Sequence, residues 1–274
     1  MIATRPDRSN KVSEMNFDDA LKRYLPRVWF RFKFIKYKYL GRGEPELRLI
    51  RHLVEPGTTA IDVGASIGMY SAEMARYAGK VLAFEPNPDV AAFTRAVAAR
   101  NIEVINVALS SQAGRATLTM PMNRKGHATT ELAAIDRRPA AGADKVSSIE
   151  VETRRLDDFP VSDCGFIKID VEGHEEAVLD GASSLIATRR PVLMIELVES
   201  FNPGVIARLD ERYAALSYDC FFLSRGALRP VADFDAARDQ DATMLPAIPH
   251  GSQFIVNFFF IPAEKKARVL SRLC

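Results

Sequence analysis

Cysteine is scarce in this chain. Cys164, Cys220 and Cys274 are odd in number, scattered, and lack metal-ligand spacing. That argues against a disulfide framework and suits a reducing compartment. No uninterrupted apolar run reaches the roughly 20 residues a bilayer-spanning helix needs. The N-terminus, MIATRPDRSNK, has no apolar stretch of the kind a signal peptide carries, so a cytoplasmic protein is expected. Excess charge is also missing. The net charge is +2, too small to argue for a nucleic-acid partner. Internal repeats and low-complexity tracts are absent. What remains is a chain of 274 residues, 47% hydrophobic and 26% charged, which can bury a sizeable core.

Two regions are expected: an N-terminal extension over 1–43 and one domain over 44–274. The extension holds RVWFRFKFIKYKYLGRG (Arg27 to Gly43), where aromatics alternate with Arg and Lys. Either the aromatics pack on the domain while the basic tips stay wet, or the segment meets an anionic or carbohydrate-bearing partner or a membrane surface. It is also a place for a homodimer contact.

From Thr58 the rhythm is strand, helix, strand. TTAIDVGA is a β-branched run ending in Asp and Gly. A helical pattern follows to Gly79, and KVLAFEP is the next strand. Asn87 reads as a helix cap with Pro88 at the first helical position, and EVINVAL as the third strand. The winding resumes at CGFIKIDV, then a helix over Glu175 to Arg189, then PVLMIEL. A helix near Val205 to Ala215 and two closing strands, YDCFFLSRG and SQFIVNFFFIP, end the domain. Alternating strands and helices imply an α/β, doubly wound, mostly parallel sheet.

AIDVGASIG is a strand, a glycine turn and a helix start. Its D-x-G-x-x-x-G spacing is a poor match to the dinucleotide fingerprint. It fits a ligand with an amino group and a carboxylate: Asp62 meets the ammonium, and turn amides near Gly64, Ala65, Ser66 and Gly68 meet the carboxylate. Glu85, at the next strand end with Pro86, can accept two ribose hydroxyls.

In order, IDVGASIGMYS, AFEPNP, NVALS and FIKIDVEGHEEAVLDGA resemble the FkbM family of S-adenosylmethionine (SAM)-dependent O-methyltransferases. The resemblance runs from about Glu44 to Pro262. It implies the class I methyltransferase fold, with seven strands and the last antiparallel. It also implies SAM as cofactor, with Asp62, Gly64 and Gly68 at its methionine end and Glu85 at its ribose. Asn106 and Ala108 would lie near the adenine, and Glu44 would face the cofactor. Ser66 replaces the Asn common at that position. Acceptors implied are hydroxyls of saccharides, glycolipids or polyketide-like metabolites.

Methyl transfer to a hydroxyl needs a base or a metal beside the methyl group. KIDVEGHEE lies at a strand end where that chemistry belongs. Asp170 and His174 are the candidate bases, with Lys168 and Glu172 in the same candidate set and Asp170 also beside the cofactor. A helix N-terminus disfavours imidazolium, so His174 would stay neutral; a purely structural His174 is the alternative. Lys168, inside a covered strand, needs a partner, Asp170 or Glu196. Glu175 and Glu176 read as helix-start acids. Metal-independent chemistry is expected. The alternative is a divalent ion on Asp170 and Glu196. His127, on the loop Asn123 to Lys145, is a second candidate base. A non-catalytic SAM-binding module is the rival reading, and an NAD enzyme is disfavoured by the glycine spacing.

Overall fold

The computed structural model describes residues 17–40, 43–122, 133–135, 145–241 and 254–272. His127 and most of its loop lie outside them. The chain begins with two helices, α1 (Phe17–Tyr24) and α2 (Pro26–Tyr39), and a short turn of helix, α3 (Ile50–Leu53). The winding that follows is β1 (Thr59–Val63), α4 (Met69–Met74), β2 (Lys80–Phe84), α5 (Pro88–Val97) and β3 (Ile102–Ile105). A middle region supplies β4 (Ala108–Leu109), β5 (Gly114–Pro121), β6 (Ala134–Ile135) and β7 (Val146–Arg154). The winding resumes with β8 (Cys164–Ile169), α6 (Glu175–Asp180), α7 (Ser183–Arg189), β9 (Val192–Glu196) and α8 (Val205–Ala214). It closes with β10 (Tyr218–Ser224), β11 (Ala227–Pro230), α9 (Ala236–Asp239), β12 (Asn257–Pro262) and α10 (Ala263–Leu270).

The main sheet has the order β11-β10-β12-β9-β8-β1-β2-β3. β1, β2, β3, β8 and β9 pair in parallel, and β12 runs antiparallel to both β9 and β10. This is the doubly wound class I arrangement, with one correction. The described sheet has eight strands where seven were expected, because the chain turns back after β10 and pairs β11 with it as a hairpin. Strands β1, β8 and β12 are buried along their whole length, as strands covered on both faces must be. One face packs an apolar cluster that includes Ile167, Leu193 and Val178 of α6. The other packs Ala60, Phe166, Met194 and Phe259 against Ile50 of α3 and Met74 of α4.

The middle region forms a second sheet, ordered β4-β7-β5-β6. EVINVAL therefore does not continue as one strand. The main sheet ends at Ile105, and Ala108 pairs with Thr153 in the second sheet. The Asn106 amide holds this exit, donating to the carbonyls of Glu85 and Pro86 at 2.8 Å each. The helix expected over Glu175 to Arg189 is broken at Gly181, where a Cβ would stand 2.1 Å from the Ser110 carbonyl oxygen. The second sheet presses too close there for a side chain. The expected cap on α5 is present: Asn87 accepts the N–H groups of Asp89 and Val90.

The aromatic-basic extension is helical and packed. Trp29 meets Phe93 of α5 edge-on at 5.6 Å. Lys38 is buried in a 2.6 Å ion pair with Glu73 of α4. No helix among the described residues is long and apolar enough to cross a membrane.

Candidate functional site

Side chains alternate between the two faces of a strand. Ala60, Val81, Phe166, Met194 and Phe259 belong to the α3–α4 face. The same alternation puts Asp62, Glu85, Lys168, Asp170, Glu196 and Asn257 on that face, at the edge where the parallel strands end and β12 begins. The apolar column thus turns polar on every strand at one edge. A cavity of about 350 Å³ opens there, within the range of small-molecule sites. It lies at the switch between the two halves of the sheet, where β1 and β8 adjoin.

Asp62 is fully buried in the cavity wall. Its Oδ2 accepts the Ser71 hydroxyl at 2.5 Å, while Oδ1 has no hydrogen-bond partner. Burial pushes its carboxyl above the usual range, and the Lys168 charge and the Ser71 bond oppose that. Lys168 is its neighbour in register on β8. Gly64 follows with φ +76°, and a Cβ there would fall 1.8 Å from the Asp170 carbonyl oxygen. The bare glycine therefore admits the neighbouring strand end, which brings the Asp62 loop and the Asp170 turn together. Two non-glycine residues of the wall, Ser66 and Glu172, hold positive φ of 48° and 52°. Strain of this kind is tolerated where the surroundings fix a geometry.

Glu85 accepts one N–H on each oxygen, from Ser66 at 2.9 Å and Asn87 at 2.8 Å. Burial nevertheless pushes its carboxyl up to about 7, against the pull of those two bonds.

Lys168 donates to Asp170 Oδ2 at 2.8 Å and sits 4.7 Å from the centre of the Tyr70 ring. Burial lowers its pKa, but the charges of Asp170, Asp62 and Glu44 outweigh that, so the ammonium is held above its ordinary value. Of the two partners expected for Lys168, the structure pairs it with Asp170. Oxygens of Asp170, Glu172 and Glu196 all lie within 4.8 Å of one another. Glu196's open surface faces the cavity and not bulk water. Burial and then the charges of Asp170, Glu44 and Glu172 hold its carboxyl well above the usual range.

Glu44 closes the cavity from the N-terminal side. Its oxygens accept Tyr37 at 2.9 Å, Tyr70 at 2.6 Å and the Asn257 amide at 3.2 Å. Burial and the Glu44 charge raise both phenols, which stay neutral donors. Tyr37 and Lys33 make α2 one wall of the cavity. Sequence reasoning had no signal for Tyr37, Tyr70 or Asn257 as part of this network.

The cavity brings together Glu44, Asp62, Gly64, Ala65, Ser66, Glu85, Pro86, Lys168, Asp170, Glu172 and Glu196 from the expected set. Gly68, Asn106, Ala108 and His174 do not line it. Gly68 caps α4, Asn106 is spent on backbone carbonyls, and Ala108 is buried in the second sheet. His174 lies 2.9 Å from the Ser110 hydroxyl, beyond the turn.

The Methyltransferase FkbM domain profile matches residues 62–215. No curated protein matches the chain. Similar solved structures include the FkbM methyltransferase of Methylobacillus flagellatus KT, 17% identical with a TM-score of 0.46 over 74% of this chain. The chain spans 43% of that protein's length. A TehB-like SAM-dependent methyltransferase of Corynebacterium glutamicum is 13% identical, with a TM-score of 0.41 over 85% of this chain and 96% of its own. An rRNA methylase of Streptococcus thermophilus is 11% identical, with a TM-score of 0.41 over 78% and 91%.

Proposed function

The chain belongs to the FkbM methyltransferase family, and from that premise we propose that it is a SAM-dependent O-methyltransferase. Its acceptor is a hydroxyl of a saccharide, glycolipid or polyketide-like metabolite. The observation that carries the cofactor assignment is the unpartnered Asp62 Oδ1, buried in the cavity wall between the glycine turn and Glu85. An orphaned buried oxygen is costly unless a ligand completes it, and an ammonium group does so. The rest of the lining fits the same ligand. Glu44, Asp62, Glu85, Asp170, Glu172 and Glu196 stand against Lys33 and Lys168. That balance favours a ligand of positive charge.

SAM supplies an activated methyl group on a sulfonium, and the protein supplies alignment and a dry site. Asp62 holds the amino group, and amides of the 64–66 turn face the carboxylate. Glu85 keeps free lone pairs for ribose hydroxyls beside its two N–H bonds. The acceptor proton goes to the carboxyl group cluster of Asp170, Glu172 and Glu196. Like charges this close share a proton readily, and Glu196, raised by burial and neighbours, is its best holder. Lys168 fixes the orientation of Asp170. His174 takes a structural place against Ser110 in this reading.

Calorimetry with SAM and S-adenosylhomocysteine, followed by turnover on a panel of hydroxyl acceptors, tests the proposal. Binding without turnover on any acceptor would favour the non-catalytic module. A metal-assisted reading has one observation in its favour: Glu172 adds a third carboxylate to Asp170 and Glu196, and hard cations prefer such oxygens. The Lys168 ammonium on Asp170 speaks against it. Activity that vanishes on EDTA dialysis and returns with magnesium or manganese would establish the metal reading.

A further inference from the structure

The outer face of α2 is apolar and uncovered among the described residues. Val28, Phe32, Ile35 and Tyr39 are 53%, 54%, 51% and 58% exposed. Their spacing places them within about 60° of one another around the helix. Leu25, Tyr24 and Leu40 prolong the stripe at its ends, also exposed. Arg31 and Lys36 border it on either side, and Lys36 sits 4.2 Å from the centre of the Phe32 ring. Arg27 and Lys33 add charge, and no acidic residue interrupts Pro26–Tyr39. Packing does not require these apolar side chains to be there. The opposite face, with Trp29 and Phe30 buried, already anchors the helix to α5 and α4.

We propose that this face docks the protein on an anionic lipid surface. An apolar stripe with cationic borders matches the acyl–headgroup boundary of such a bilayer: carbon enters it, and the basic side chains meet phosphates. The other occupants fit less well. A second copy related by a two-fold axis would set the same patch against itself, so its basic borders would meet basic borders with no acid on α2 to pair them. A nucleic acid offers phosphates but nothing for Phe32 and Ile35. Residues 1–16 carry no apolar run that would cover the stripe. One consequence rests on the methyltransferase reading. Lys33 and Tyr37 of the same helix line the cavity, which puts it about one helix diameter, roughly 10 Å, from the headgroups. An acceptor carried on a lipid suits that placement.

The test is sedimentation of the full chain with vesicles of phosphatidylcholine alone and of phosphatidylcholine mixed with phosphatidylglycerol. Binding is expected to the mixed vesicles, weakly to the neutral ones, and to fall as salt rises. The double variant Phe32→Glu, Ile35→Glu should bind mixed vesicles at least about tenfold less, having lost inserted carbon and gained repelled charge. Arg31→Glu alone should cost on the order of fivefold or more. None of these residues lines the cavity, so calorimetry with S-adenosylhomocysteine should give wild-type affinity in each variant, which certifies the fold. Loss of that affinity in the wild type would defeat the cofactor reading and leave the docking result standing. Wild-type protein that ignores anionic vesicles, or a double variant that binds them equally well, would overturn the docking proposal. So would a wild-type dimer in sedimentation equilibrium that the double variant dissolves while vesicles capture neither.

Discussion

Asp62→Asn is the perturbation that separates the cost of the empty site from its use. In the unliganded protein the carboxyl group is buried, with one oxygen bonded to Ser71 and the other unpartnered. Burial dominates, so its charge is disfavoured on balance, despite Lys168 beside it. Asparagine keeps the shape and an acceptor for the Ser71 hydroxyl, and removes the charge. The unliganded variant should therefore be as stable as the wild type or more so. The cofactor side moves the other way. A hydrogen bond to a charged group is worth about 1.5–3 kcal/mol, so SAM affinity should fall about 10–150-fold.

The two effects can be read in one thermal experiment. SAM at 100 times its wild-type Kd adds about 2.7 kcal/mol of stability. For a chain near this size that raises Tm by about 5–11 °C. At the same SAM concentration the variant retains about 0.3–1.4 kcal/mol, or about 1–6 °C. A variant whose Tm rises with SAM as much as wild type would refute the assignment of Asp62 to the amino group. A variant destabilised without ligand by more than about 1 kcal/mol would refute the view that the buried charge is a cost.

Glu85→Ala should weaken SAM binding by about 1–3 kcal/mol; unchanged calorimetric affinity in a folded variant rejects the ribose contact. Glu196→Gln and Asp170→Asn should lower kcat by about 10²–10⁴-fold with little change in SAM affinity. His174→Ala should cost less than about tenfold, and a larger loss would move the proton to the histidine. Stability should also depend on pH. Glu175 is buried, and its carboxyl rises from 4.5 to about 7 on folding, mainly through burial against the Gly173 and other N–H bonds. A raised carboxyl contributes stability that is complete below about 4.5 and lost as pH climbs through about 7; Glu85 and Glu46 act in the same window. Urea unfolding should thus show stability falling between about pH 5 and about pH 8, and Glu175→Gln should remove about 3 kcal/mol of that slope. A flat profile in the wild type contradicts it.

The floor of the cavity was legible because strand alternation is a local rule. In FIKID, Phe166 faces the core cluster, so Lys168 and Asp170 share its face. The same step of two carries Met194 to Glu196 and Ala60 to Asp62. The walls were not legible, because they come from distant chain. Asn257 reaches Glu44 across 213 residues of sequence, and Tyr37 arrives on a helix that composition marked only as basic and aromatic. Asn106 and Ala108 were read as one strand end. A sequence run cannot show where a chain changes sheets, and the step from Ile105 to Ala108 is such a change.

His174 shows where local reasoning fails by one turn of backbone. Asp170 and His174 stand four residues apart and looked like one constellation. Between them Glu172 and Gly173 both take positive φ, 52° and 94°. That reversal leaves Asp170 at the cavity and sends the imidazole to Ser110, beside the second sheet. The short polar run therefore serves two sites: its strand half joins Glu196 at the cavity, and its helix half pins α6 to the middle region. An acidic strand end with a histidine nearby is a chemical centre only if the turn between them keeps both on one face, and here the turn does not.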